Sequence, residues 1–367
     1  MYKEWKLLFS GWWQLFLYVV IFGVLVAMGI SVTSGALMAG LVRSDFAAME
    51  GPYDTEKVTQ INEKYGFYAV QRGNTQVSFG AEEEPHLVLE RFYGQSYILA
   101  TDHLHKIAEE KPEVASKAES LLENLQFFYT NGWRSYFNAL ASPTPSVPIS
   151  SVFMVGLIIL GANFLSVEYL QGTWLVIGNT LNGRKGILFK KFFVLTFTGV
   201  MTMLLVHVLS LLNLQSSGQI IHAHRRISEM LNTIPFWDMS FVGAALLNLF
   251  FWLLAVLLLI STILLISALL KKGLLTIIVS LLWVLGVPMT LNAILPMHPL
   301  LFPQNLMGMV NILISPGIEH DQLVQFLGWR PWLPSSVGFV MAYSILLPLL
   351  FTGLFLGLTK ALVKRWY

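Results

Sequence analysis

Few side chains in this sequence could do chemistry, and most sit at spacings that no chemistry requires. There are no cysteines, so thiol catalysis, Cys-type zinc sites, iron–sulfur clusters and disulfides are excluded. His103 and His105 stand two apart, as do His222 and His224. Residues at i and i+2 on a helix do not share a face, so neither pair reads as a metal site. Glu82, Glu83 and Glu84 form an acidic run suited to a solvated loop, with a cationic ligand as the sharper alternative. The stretch from Gly178 to Gly183, followed by Arg184 and Lys185, superficially has the look of a phosphate loop. The working motif is G-x-x-x-x-G-K-[ST] between a strand and a helix. Here Arg184 displaces the lysine, no Ser or Thr follows, and the surroundings read as helical, so nucleotide binding by this chain is rejected.

The elements that would position these residues are set by hydropathy. The 367 residues are 55% hydrophobic and 12% charged, with net charge +2 and mean hydropathy +0.64. A soluble domain carries roughly 25% charge. Half that share cannot coat a soluble surface of this size, and the charge balance gives no footprint for nucleic acid. A span needs about 20 mostly apolar residues. The apolar cores fall near Leu15–Leu41, Ile149–Val167, Phe192–Leu214, Val242–Leu270, Leu274–Leu295 and Val337–Leu358. The expected fold class is therefore an all-α polytopic membrane protein with six transmembrane helices. Residues 1–42 form an interfacial N-terminal segment and the first helix. Residues 43–148 form an extracellular domain, and 149–367 hold the second to sixth helices. Pro296, Pro299, Pro303 and Pro316 break the chain after the fifth helix into a re-entrant outer segment, 296–335.

Basic residues near the helix ends set orientation. With six spans, one side holds Lys3, Lys6, Arg184, Lys185, Lys190, Lys191, Lys271, Lys272, Lys360, Lys364 and Arg365 against only Glu4 and Glu168, a net +9. The other side is net −7. Both termini are therefore expected in the cytoplasm, and the absence of a lipidation motif together with the absence of cysteine points to a bacterial cytoplasmic membrane. The outer segment is expected to be α+β or mainly α. Thr55–Tyr65 reads as helix, 66–79 as a possible hairpin, and 85–140 as mostly helical. Ser116-x-x-Glu119 ahead of Leu121 and Leu122 has the pattern of a capping box.

No Asp, Glu, Lys or Arg falls inside the six apolar cores. Proton-coupled transporters and pumps need an ionisable relay there, so these classes are disfavoured, as are intramembrane proteases and metal enzymes. His207 is the one titratable group within a span, and a lone histidine at a helix interface is ordinarily a hydrogen-bonded packing residue.

The loop between the second and third helices, 168–190, is the most informative stretch. It carries Glu168, Gly172, Thr173, Trp174, Thr180, Arg184, Lys185 and Lys190. Glycine at 172 permits a sharp turn at the membrane surface, and Thr173 can cap a short helix after it. Trp174 to Ile177 offer an apolar knob, and Glu168 and Arg184 can pair. This spacing resembles the corresponding loop of ABC-2 type transporter permeases, in which a Glu is followed by Gly-Thr, then a Thr or Ser near an Arg, then a Lys at the next helix. Leu181 stands where the family often has Pro. A large outer domain after the first helix resembles one branch of that family.

The resemblance implies a coupling helix that docks into a groove on an ABC ATPase subunit. It implies a second permease chain, identical or related, in a lipid bilayer. It implies that ATP and Mg bind to the partner ATPase, while this chain binds no cofactor and catalyses no covalent step. The expected function is the permease subunit of an ATP-driven exporter. Charge-free spans favour a hydrophobic or amphipathic substrate such as a peptide, lipid-like molecule or drug. The alternative is a non-transporting membrane sensor or scaffold that binds a ligand through its outer domain. A lipid-modifying enzyme is disfavoured because the inner loops lack nucleophile–base pairs.

Overall fold

The computed structural model describes residues 12–31, 47, 49–65, 85–110, 112–128, 130–141, 149–170, 183–218, 220–288, 290, 302–314 and 337–364. The expected hairpin at 66–79 and the acidic run 82–84 lie outside the described residues.

The chain is mostly helical. Among the described residues, four helices are long and apolar enough to cross a membrane: α6 (Ile149–Leu170), α7 (Gly183–Ser216), α9 (Phe241–Leu270) and α13 (Val337–Lys364). Two shorter apolar helices accompany them, α1 (Trp12–Ile30) and α10 (Gly273–Leu281). α9 is the central post, packing against α6, α7, α10 and α13. Ser240 caps it, its Oγ accepting from the Gly243 N–H at 3.1 Å. α1 lies on α6 and α7. Gly156 makes that approach close, since a Cβ there would stand 2.9 Å from Ile21 Cγ2.

The outward faces carry the membrane signal. On α7, Phe189, Phe193, Phe197, Met201, Leu205, Val208 and Leu212 are exposed, at helical spacing. On α13 the exposed series is Leu346, Leu350, Leu354 and Leu358. Apolar stripes of this length are a liability in water and a match for lipid. These are the features of an all-α membrane protein.

Two of the expected cores run beyond the described residues. α1 is described to Ile30, with Ser31 Oγ donating to the Ala27 carbonyl at 2.7 Å, and 32–41 of the first core lie outside the described residues. In the fifth core α10 opens into a π turn over Leu282–Gly286, because Pro288 has no N–H to give to the turn before it. Helix continues through 287–288 and at 290, and 291–295 lie outside the described residues.

The segment between α1 and α6 is mainly α among the described residues. α2 (Thr55–Tyr65) begins on Asp54, whose Oδ1 accepts from the Glu56 and Lys57 amides. α3 (Pro85–Glu110) packs on it. Tyr53, Tyr93, Tyr97 and Phe127 cluster ring to ring between them. α4 spans Ala115–Glu123, and the capping box is not formed. A 3₁₀ turn, Pro112–Val114, leads into the helix, so Ser116 is already inside it and Val114 stands at the cap without a side-chain bond. β1 (Gly51–Pro52) and β2 (Gln126–Phe127) pair antiparallel, the one sheet among the described residues.

Packing runs across residue 148. α5 (Asn131–Ala141) buries Trp133, Tyr136, Phe137 and Leu140 in the same core as α6, α7 and α9. Trp133 stacks on Phe241 at 5.1 Å and 6°, and its indole N–H donates to the Ile221 carbonyl at 3.0 Å. The chain between α7 and α9 contains a short helix, α8 (Ile227–Leu231), and clasps the segment between α1 and α6. Asn232 exchanges two hydrogen bonds with the Gln126 backbone, Thr233 bonds His103, and His222 meets Glu50 at 3.1 Å. After α10, two short helices, α11 (Pro303–Met307) and α12 (Met309–Ile314), are almost wholly buried against α9. Protein covers this broken backbone, with Trp237 N–H donating to the Leu313 carbonyl. Irregular backbone at membrane depth requires such cover.

Candidate functional site

The loop that carries the family resemblance runs from the end of α6 to the start of α7. Gly172, Thr173, Trp174 and Thr180 lie outside the described residues. Glu168 lies in the last turn of α6, and Arg184 and Lys185 lie in the first turn of α7. Their backbone is described, and their side chains are not.

The base of the loop is described, and cations pin it. Lys191 is fully buried. Its ammonium donates to the Phe164 carbonyl and sits 4.3 Å from the centre of the Phe164 ring. An ammonium taken out of water costs several kcal/mol unless it finds partners. Here the partners are a carbonyl near the negative end of the α6 dipole and an aromatic face. From the turn between α9 and α10, Lys271 places its ammonium 4.4 Å from the Tyr169 ring centre. Ser267 Oγ donates to the Ala162 carbonyl at 3.1 Å, tying α9 to α6 one turn earlier. The end of α6 is thus held from α7 and from α9.

Sequence reasoning places Lys190 and Lys191 together in a basic surface cluster. The structure separates them, with Lys190 exposed and Lys191 buried. A signal was available. Ile187, Lys191, Val194, Leu195 and Thr198 recur at i, i+4, i+7, i+8 and i+11, and all are buried. That is the core-facing stripe of a helix, and Lys191 falls on it.

The histidines divide in the same way. His103 Nε2 pairs with Thr233 Oγ1 at 3.0 Å, while His105 is exposed on the other side of α3. His222 adopts a left-handed backbone, φ 53°, pairs with Glu50 and packs edge-on to Phe128. No group of three metal-ligating side chains forms among the described residues. His207 is buried, with Nδ1 2.8 Å from the Tyr136 hydroxyl and its ring edge-on to Trp252 at 4.8 Å. Sequence reasoning misses Tyr136 and Trp252 as its neighbours, because spacing along the chain does not show which faces of α5, α7 and α9 meet.

Comparison with known protein families, with curated proteins and with solved structures finds no match for this chain.

Proposed function

We propose that the chain is the membrane-spanning permease subunit of an ATP-driven exporter of the ABC-2 type, moving a hydrophobic or amphipathic substrate. In this reading all six apolar helices span the bilayer, both termini are cytoplasmic, and α2 to α5 face outward. The loop 168–190 is the coupling element. Glu168, Arg184 and Lys185 stand at its two ends, Gly172 and Thr173 shape its turn, and Trp174 enters a groove on the ATPase. ATP and Mg belong to that partner, and a second permease chain completes the pathway.

The observation that carries the reading is the pinned base of this loop. A docking loop does work only when its displacement moves helices. Lys191 and Lys271 tie the end of α6 to α7 and α9, so a push on the loop is delivered to three long helices at once. ATP-driven closure of the partner would then bias two packings of the bundle.

The test is purification from native membranes in mild detergent, with ATPase activity read on the wild type and on Gly172→Pro/Arg184→Glu. Co-purification of an ATPase that the double change releases or uncouples supports the proposal. A wild-type chain that comes out with no nucleotide-hydrolysing partner overturns it. One observation favours the sensor reading instead. A cleft of about 360 Å³ between α4 and the 225–238 stretch is lined by Lys117, Gln126, Arg225, Arg226, Glu229 and Asp238. A ligand there would press directly on the chain joining α7 to α9.

A further inference from the structure

The interior of the bundle contains a polar cluster that neither the loop nor the outer segment uses. Tyr136 on α5 contacts His207 Nδ1 on α7 and lies beside the Asn248 amide on α9. One turn on, Trp252 lies against the other side of His207. His207, Asn248 and Trp252 are each 1% exposed or less. His207 Nε2, both amide atoms of Asn248 and the indole Nε1 of Trp252 are buried with no hydrogen-bond partner among the described residues. Asn248 stands about 10 Å into α9 from its outer end, at 1.5 Å per residue. Both α7 and α9 are helices of membrane-spanning length.

Four unpartnered polar atoms in one place are costly in any protein interior, and a bilayer supplies no solvent to relieve them. Packing offers no reason for them, since Leu or Phe would fill the same volume. We propose that Tyr136, His207, Asn248 and Trp252 form a binding site for a small neutral oxygen ligand, a water molecule or the hydroxyl of an amphipathic molecule.

The chemistry of the donors selects the ligand. Trp252 Nε1 can only donate. With Tyr136 donating to Nδ1, the His207 proton sits on Nε2, which also donates. Asn248 contributes two further donors and the single acceptor, Oδ1. A water or hydroxyl oxygen has two lone pairs, enough to accept from Trp252 Nε1–H and His207 Nε2–H, and returns its own proton to Asn248 Oδ1. The four side chains include no carboxylate for a cation and no fixed cation for an anion. The site does not depend on the exporter reading, because it needs only the packing of α5, α7 and α9.

The experiment uses the full-length protein labelled with ¹⁵N-tryptophan in detergent micelles. Loss of one indole signal in Trp252→Phe assigns the Trp252 N–H. Magnetisation transfer from that N–H to the water resonance is then measured, followed by titration with octan-1-ol. A transfer peak that octan-1-ol leaves unchanged assigns the site to water. A saturable shift of the Trp252 signal with octan-1-ol, lost in Asn248→Leu, assigns it to an amphipathic hydroxyl. Neither a transfer peak nor an octan-1-ol response in the wild type overturns the proposal. The transfer peak and the octan-1-ol response are both read on the wild type, and if Trp252→Phe fails to fold, Trp252→Tyr supplies the assignment.

Discussion

Asn232→Ala tests how the outer segment is held to the bundle. Asn232 ends α8 in a left-handed conformation, φ 46° and ψ 52°. Its amide nitrogen donates to the Gln126 carbonyl, 2.6 Å away, and its Oδ1 accepts from the Gln126 N–H at 3.2 Å. Alanine removes both bonds and leaves two half-buried backbone groups of β2 unpaired, about 1 kcal/mol each at the low end of the range for such groups. Alanine also takes a left-handed conformation less readily than asparagine, adding about 1 kcal/mol. The total is about 3 kcal/mol, lost from the docking of β2 on α8. Hydrogen exchange read by mass spectrometry on peptides covering residues 124–128 should then speed up by about 100-fold, since ~1.4 kcal/mol is tenfold. Asn232→Gly loses the bonds but not the backbone freedom, so its effect should be smaller by about 1 kcal/mol. Exchange within about twofold of wild type in both variants, or a Gly variant as fast as the Ala one, would refute the reasoning.

Further outcomes rest on the same geometry. Lys191→Glu sets a carboxylate against the Phe164 carbonyl and ring and should lower detergent thermal stability by several kcal/mol, while Lys190→Glu, one residue away and exposed, should cost within about 0.5 kcal/mol. Equal effects would mean that Lys191 is not buried. Gly156→Ala brings a Cβ to 2.9 Å from Ile21 Cγ2 and should cost about 1–3 kcal/mol as an overpacked contact; Ile21→Ala should recover part of that loss, and a double-mutant cycle with no coupling energy would sink the idea. Burial raises the pKa of the Tyr53 phenol above its ordinary 10.0 despite the hydrogen bond to Ser96. The unfolded chain therefore ionises first, and the stabilising contribution is whole below pH ~10 and lost as pH rises above it. Alkaline titration followed by tyrosinate absorbance should show a late step whose amplitude falls by one tyrosine in Tyr53→Phe.

Much of the architecture was legible because local spacing carries it. The apolar runs mark out α6, α7, α9 and α13, and Asp54 ahead of Thr55–Tyr65 is a helix start with its cap formed. The i, i+2 argument correctly separates His103 from His105. Errors arose where a local pattern met a competing one. Ser116-x-x-Glu119 reads as a cap, but the Pro112–Val114 turn has already begun the helix.

Covalent spacing alone determined which segments are helical, which are apolar enough for a bilayer, where the basic residues gather, and which histidines cannot share a face. These depend on 3.6 residues per turn and on side-chain hydropathy, and need no knowledge of neighbours. Tertiary structure decided the rest. It buried Lys191 and left Lys190 outside, although the two are chemically identical. It packed α5 into the bundle core. It also brought Tyr136, His207, Asn248 and Trp252 together from three helices. The physical reason is the same each time: burial depends on what packs against a face, and a sequence read along its own length shows the face but not its partner.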